Sequence, residues 1–166
     1  MNKSVAKTPT PFSFRVDLRW CLDELLKDGR ISQRDANLVS TSPRSREQLN
    51  WHPLQIIASF DFADEAGKGP LKLDVLTAWL AGRAGQPVFH IDPIKIRAGE
   101  VTQAMSYKYA DRHGILAVAV TQDEVTVASA QPFHNEWEAD LKQTLRGKSV
   151  KRVVANPADI HRYTIE

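Results

Sequence analysis

The run Ile115-Leu-Ala-Val-Ala-Val120 constrains the fold more than any other stretch of this 166-residue chain. As an extended strand it sends Ile115, Ala117 and Ala119 to one side and Leu116, Val118 and Val120 to the other. Both rows are apolar, so the strand must be covered on both faces. Val125 to Ala130, across Gln122-Asp123, repeats the β-rich texture, and the two runs read as a hairpin. Asn135 then opens a covering helix with Glu138 at its third position, which presents Trp137, Leu141 and Leu145 at i, i+4, i+8 and stops at Gly147. Val150 to Ala155 supplies another strand. Asn156-Pro157-Ala158-Asp159 starts a short last helix with a cap, a first-turn proline and a first-turn acid together. Val88-Phe89-His90-Ile91 is a further short β run, closed by Asp92-Pro93.

Upstream of Gln86 the apolar spacing is helical. Asp17 can cap a helix running to about Asp28, with Leu18, Cys21 or Leu22, and Leu25 on its stripe and Gly29 as the stop. Ser32-Gln-Arg-Asp35 resembles a capping box and opens a second helix carrying Ala36, Leu38 and Val39. Ser40 to Arg46 is a polar connector. Pro53 suits the first turn of a third helix, with Leu54, Ile57 and Phe60 on one stripe and Gly67 and Gly69-Pro70 at its end. A fourth helix from about Leu73 buries Leu73, Leu76, Trp79 and Leu80 and ends at Gly85. Gly29-Arg30-Ile31 and Gly69-Pro70-Leu71, about 40 residues apart, mark a weak repeat of two helical hairpins. The expectation is an α+β fold: residues 1–14 a disordered tail, 15–85 a helical-hairpin portion, and 86–166 a small mixed α/β portion with a β-hairpin and covering helices.

Chemistry of a catalytic kind is not written in the chain. Gly67-Lys-Gly69 lacks the second helix and strand context of a phosphate-cradling loop. His52, His90, His113, His134 and His161 show no metal-ligand spacing, so neither a metal site nor a catalytic set is expected, and no cofactor. Cys21, the only cysteine, reads as a small buried hydrophobe in a chain from a reducing compartment. The N-terminus has no secretory apolar stretch and no window approaches a membrane span, which reads as cytoplasmic. A net charge of +2 gives no footprint for nucleic acid. Lys142, Arg146, Lys148, Lys151 and Arg152 cluster near one helix end, where cations are favoured in any case; a contact patch for an acidic partner is the alternative. Arg44 and Arg46 read as loop solvation.

Four blocks carry a resemblance that no single block would. Gly85 to Ile96, Tyr109 to Leu116, Val125 to Phe133 and Ala155 to Ile160 resemble, in order and spacing, the N-terminal domain of type II secretion and type IV pilus assembly ATPases. In this alignment Gln131-Pro132-Phe133 ends an edge strand, and His113 is a structural hydrogen-bonder at a strand start. The resemblance implies a helical portion joined to an α/β portion, ahead of an ATPase motor that this chain lacks, with Glu166 falling where the linker would begin. It further implies docking on the cytoplasmic domain of an inner-membrane platform protein, and hence recruitment to the cytoplasmic face of that membrane. Trp51 and Tyr163 are aromatic candidates for the contact.

Some members of that family bind cyclic di-GMP through two repeats resembling Arg-Leu-Gly nine residues before a glycine that is followed two places later by Ile or Leu. Gly29 with Ile31 and Gly69 with Leu71 keep the second part. The first part is replaced by Trp20-Cys21-Leu22 and Phe60-Asp61-Phe62, which removes the stacking or phosphate-pairing arginine and the small glycine. Arg19 is one residue out of register, about 100° around a helix. Docking is therefore the leading reading, with a cyclic di-GMP sensor of degenerate motif as the alternative. A DNA-binding helix-turn-helix is disfavoured by Asp35 in the second helix and by the charge balance.

Overall fold

The computed structural model describes residues 13–67, 69–92, 94 and 105–164. Asp17 accepts the Trp20 N–H at 2.8 Å and opens α1 (Leu18–Lys27), after which Gly29 turns the chain at φ +67°. Ser32 accepts the Asp35 N–H at 3.0 Å and opens α2 (Gln33–Thr41). A 3-10 turn, Glu47–Asn50, follows the polar connector, and α3 (Pro53–Ala58) begins at the proline. This helix is shorter than its expected stripe. Its pattern runs out at Asp61 and Asp64, the amides of Ser59, Phe60 and Asp61 fold back onto carbonyls of residues 55–58, and Asp61 takes φ +52°. Phe60 therefore lies beyond the helix, stacked on Phe62 at 5.2 Å between ring centres. A loop closed by the Ala63–Pro70 bridge leads into α4 (Leu73–Ala84), which ends on left-handed Gly85. Leu25, Val39, Leu54, Ile57, Leu71, Leu76 and Leu80 form the fully buried centre of this half.

The two repeat turns meet. Gly29 and Gly69 both have positive φ, and Ile31 and Leu71 enter one core. Arg30 donates to both carboxylate oxygens of Asp64, at 2.9 and 2.8 Å, and its carbonyl accepts the Glu65 N–H at 3.0 Å. Just before the first turn, Trp79 Nε1–H donates to Asp28 at 2.7 Å, while Arg83 pairs with Glu24 and Asp28, tying α4 to α1.

The sheet half runs α5 (Tyr107–His113), β1 (Ile115–Val120), β2 (Glu124–Ser129), α6 (Glu136–Thr144), β3 (Ser149–Val154) and α7 (Pro157–Thr164). The helix α5 was not legible in the sequence; His113 closes it, followed by left-handed Gly114. Strand order is β1-β2-β3, antiparallel in the hairpin and parallel between β2 and β3. The helix α6 makes the crossover that parallel pairing demands. Both faces of the hairpin are covered, as the apolar rows require. Ile115, Ala117, Val125 and Val127 pack with Ala110, Trp137 and Leu141; Leu116, Val118 and Ala128 pack with Val153, Ile160 and Phe89. A bulge between Ala117 and Ala119 breaks the expected alternation and leaves Ala119 exposed.

Three expectations are corrected here. β2 is the middle strand of the sheet, so Gln131-Pro132-Phe133 leaves a central strand and not an edge. Val88 to Ile91 makes a single parallel bridge, Val88 to Val154, with Phe89 N–H on the Val154 carbonyl at 2.8 Å, instead of a strand. Asn135 does not cap α6 through its side chain; its own N–H goes to Ser13 Oγ at 3.0 Å. That bond belongs to a seam. Phe14 N–H donates to the Phe133 carbonyl at 3.2 Å, Val16 N–H to Gln131 Oε1 at 2.7 Å, and the Phe14 and Phe133 rings stack at 4.9 Å. Ser13 and Phe14 are thus part of the fold, while residues 1–12 of the expected tail lie outside the described residues.

Two substitutions test these supports. Trp137 is fully buried, donates to the His134 carbonyl at 3.0 Å, and carries the Arg152 guanidinium 5.0 Å from its ring centre. Trp137→Ala is expected to cost about 3–5 kcal/mol in urea unfolding. Arg30→Met leaves the Asp64 carboxylate with its Ala66 amide but without its cation, at a cost of about 2 kcal/mol. Adding Asp64→Leu should recover most of that loss, and a double variant with additive losses would show that the pair does not join the turns.

Candidate functional site

Of the six positions of the degenerate dinucleotide pattern, Gly29, Ile31, Gly69 and Leu71 lie at the two joined turns, and Trp20 and Phe60 are held in ring contacts. Ile31 and Leu71 are core residues, while Gly29 and Gly69 face open space, with nothing within 4 Å of a side chain added at either. Trp20 is committed to an aromatic group at the seam, 5.5 Å from Phe133 and 6.0 Å from Trp79 between ring centres. Phe60 is held against Phe62. Between the repeats lies the Arg30–Asp64 pair, in which the guanidinium holds the Asp64 carboxyl below its usual range. The one arginine of the two turns is thereby engaged within the chain.

Open space lies elsewhere. A cleft of about 690 Å³ runs along the junction of the two halves, with Trp51, Pro53 and Pro157 on its apolar walls and Arg15, Asp111 and Glu47 among its charged groups. A smaller groove of about 380 Å³ lies between α1 and α2, floored by Leu22, Leu26 and Ala36 and edged by Arg19, Asp23 and Asn37. Trp51 is half-buried beside the cleft. Tyr163 packs against the sheet cluster, with the Arg162 guanidinium 5.5 Å from its ring centre. Neither aromatic stands free in solvent.

Histidines scattered in sequence converge on the junction. His52 caps α3: Nδ1 accepts the Leu54 N–H at 3.1 Å while Nε2 lies 2.7 Å from the Ala130 carbonyl, at the end of β2. Burial pushes its pKa down to about 4. His113 Nδ1 and His134 Nε2 are 3.2 Å apart, and Arg15 and Ser13 also reach His134 at 3.4 Å. The signal that could have found these groups is weak, since His52 precedes a helix-starting proline and the others have no local pattern. Among the described residues no group of three His, Cys, Asp or Glu side chains could hold a metal ion.

The remaining reactive and charged residues are mostly absorbed by packing. Cys21 is fully buried, and burial followed by the Asp17 charge raises its thiol to about 12, far from a thiolate at neutral pH. Of the basic cluster, Arg152 donates to the carbonyls of Pro132 at 2.9 Å and His134 at 3.0 Å. Lys142 pairs with Glu138, and Lys148 donates to the carbonyls of Thr121 and Gln122. Arg44 serves its own connector, donating to the Ser42 carbonyl at 2.7 Å. No helix among the described residues is long and apolar enough to cross a membrane.

Comparison with known proteins places this arrangement. Residues 84–165 match the MshEN domain, a span that takes in the whole sheet half. The type IV pilus assembly ATPase TfpB of Acinetobacter baylyi is 42% identical over 156 residues, covering 93% of this chain and 27% of that protein. The chain therefore spans about a quarter of the length of the curated relative it matches. A solved structure of MshE with cdg has a TM-score of 0.57 at 16% identity, over 87% of this chain and 96% of that one, a likeness of fold. The N-terminal domain of XpsE gives a TM-score of 0.45 at 12% identity, over 92% and 96% of the two chains. The four sequence blocks, the MshEN match and the 42% identity to a pilus ATPase agree: this chain belongs to the N-terminal domains of type II secretion and type IV pilus assembly ATPases.

Proposed function

We propose that the chain is a non-catalytic docking and regulatory piece ahead of an ATPase motor. It binds the cytoplasmic domain of an inner-membrane platform protein and so links the motor to the membrane machinery from the cytoplasmic side. The observation that carries this reading is the 42% identity to a pilus assembly ATPase over 93% of this chain but 27% of that protein, in a segment without a phosphate-cradling loop. A docking role also suits a surface with shallow features and few pre-organised polar groups. The α1–α2 groove, with half-exposed Leu38 on α2, offers an apolar strip with a mixed-charge rim. Binding is measured by calorimetric titration of the 166-residue chain with the platform protein's cytoplasmic domain. Saturable heat with a dissociation constant at or below about 50 μM is expected, equivalent to roughly 6 kcal/mol. Its absence from both the secretion and the pilus platform domains would sink the docking role.

A second reading, a cyclic di-GMP sensor, draws on the fold shared with MshE, whose structure holds cdg, and on the retained Gly29–Ile31 and Gly69–Leu71 turns. Trp20 and Phe60 stand where the family's arginines would be, and both are engaged in ring contacts of this chain. Thermal denaturation in rising cyclic di-GMP separates the two. A binding chain gains about 2.7 kcal/mol at a hundredfold excess over the dissociation constant; an unmoved midpoint is the expected result.

A further inference from the structure

Three of the five histidines, His52, His113 and His134, hydrogen-bond across or beside the junction of the halves, and the fixed donors and acceptors around His52 and His134 set their protons. A carbonyl can only accept, so His52 Nε2 carries the hydrogen that meets Ala130 O. A backbone N–H can only donate, so His52 Nδ1 is bare where Leu54 N–H points at it. The ring is neutral with both nitrogens used, and a second proton on Nδ1 would face the Leu54 N–H and undo the cap of α3. His134 is fixed in the same way. The Arg15 guanidinium can only donate, so Nε2 is the acceptor, and it also receives the His113 Nδ1–H. Nδ1–H then points to Ser13 Oγ, which in turn accepts the Asn135 N–H. A proton added to His134 Nε2 would stand against the Arg15 guanidinium, and His113 would have to change tautomer to accept it. His113 differs, because Nε2 can take a proton while Nδ1 keeps its bond.

We propose that the junction is an acid-labile clasp: protonation of His52 and His134 frees residues 13–16 and the start of α3 from the sheet half before either half melts. The charges around the rings favour this outcome. His134 faces Arg15, His113 and Arg152 as cations or potential cations, against Glu136 alone, whose carboxylate is 3.7 Å away and 70% exposed. His113 faces Arg112 and Arg15 against Glu136 and Asp140. His52 shares its cleft with Arg15, Glu47, Asp111 and His161, and burial dominates its titration. Burial first, and for His113 and His134 the neighbouring cations after it, make all three rings take up protons below the usual histidine value. The open form therefore binds more protons than the closed one as pH falls below 6.5, and it gains on the closed form through that window. For His52, with values of 6.5 when open and about 4 when closed, the closed form loses about thirtyfold at pH 5.

The test is amide hydrogen exchange by NMR on the full chain at pH 7 and pH 5, with rates corrected for the intrinsic pH dependence. The expected result is a loss of protection of tenfold or more at the amides of Phe14, Val16 and Leu54, with less than a twofold change in the β1–β2 hairpin. In a His52→Gln, His134→Gln double variant the junction amides should show the same protection at both pH values. Equal losses in junction and hairpin, no loss at either, or an undiminished loss in the variant would each overturn the clasp. If the variant fails to fold, imidazole shifts of the natural chain decide. Rings of His52 and His134 that titrate together with the loss of amide protection support the clasp, and rings that titrate near 6.5 with the junction amides still protected refute it.

Discussion

A hairpin with two apolar faces cannot stand at a surface, and the architecture of the sheet half follows from that requirement. Trp137 and Leu141 cover one side, while Ile160 and the Phe89 segment cover the other. Two covers in turn impose a crossover, since α6 has to leave the end of β2 and return the chain parallel to it in β3. The seam to the helical half is set at the same place. The chain leaves β2 at Ala130, whose carbonyl meets His52, and the next five residues bond Val16, Phe14 and Ser13. The strand that most needs burial thus also fixes where the other half attaches.

Local rules were legible where they act alone. Asp17, Ser32, Pro53 and Asn156 each start the helix that their chemistry predicts, and Gly85 ends one with positive φ. The hairpin and its double cover could be read because apolarity on both faces admits no other solution. What could not be read depends on distant partners. Asn135 looks like a cap but gives its amide to Ser13, more than a hundred residues away in sequence. Tyr109 carries no helical pattern in the sequence, yet it sits in a short helix where its hydroxyl donates to the Trp137 carbonyl at 2.8 Å. Phe60 fits a helical stripe by spacing, but the acids at 61 and 64 leave that helix nothing further to bury.

The candidate site was legible mainly as an absence. Losing the arginine and the small residue of the family pattern could be seen in Trp20-Cys-Leu and Phe60-Asp-Phe, whereas the use made of the vacated positions could not. Trp20 has become part of the seam, and Arg30 has become a strut between the two turns. The histidines at the junction were opaque for the opposite reason. His52 has one local partner, the Leu54 amide, but the Ala130 carbonyl and the Arg15 and His113 side chains at His134 lie twenty or more residues from the rings they meet, and only the fold brings them there.

The seam has a temporal side as well. Residues 13–16 bond to residues 131–135, so this contact closes a loop of most of the chain. Contacts of such sequence separation carry a large loop-closure cost and form late. During synthesis the helices between Leu18 and Ala84 leave the ribosome with their core complete in sequence, well before Phe133 exists to receive Phe14. In this protein residues 13–16 are made more than a hundred residues ahead of the partners that hold them in place.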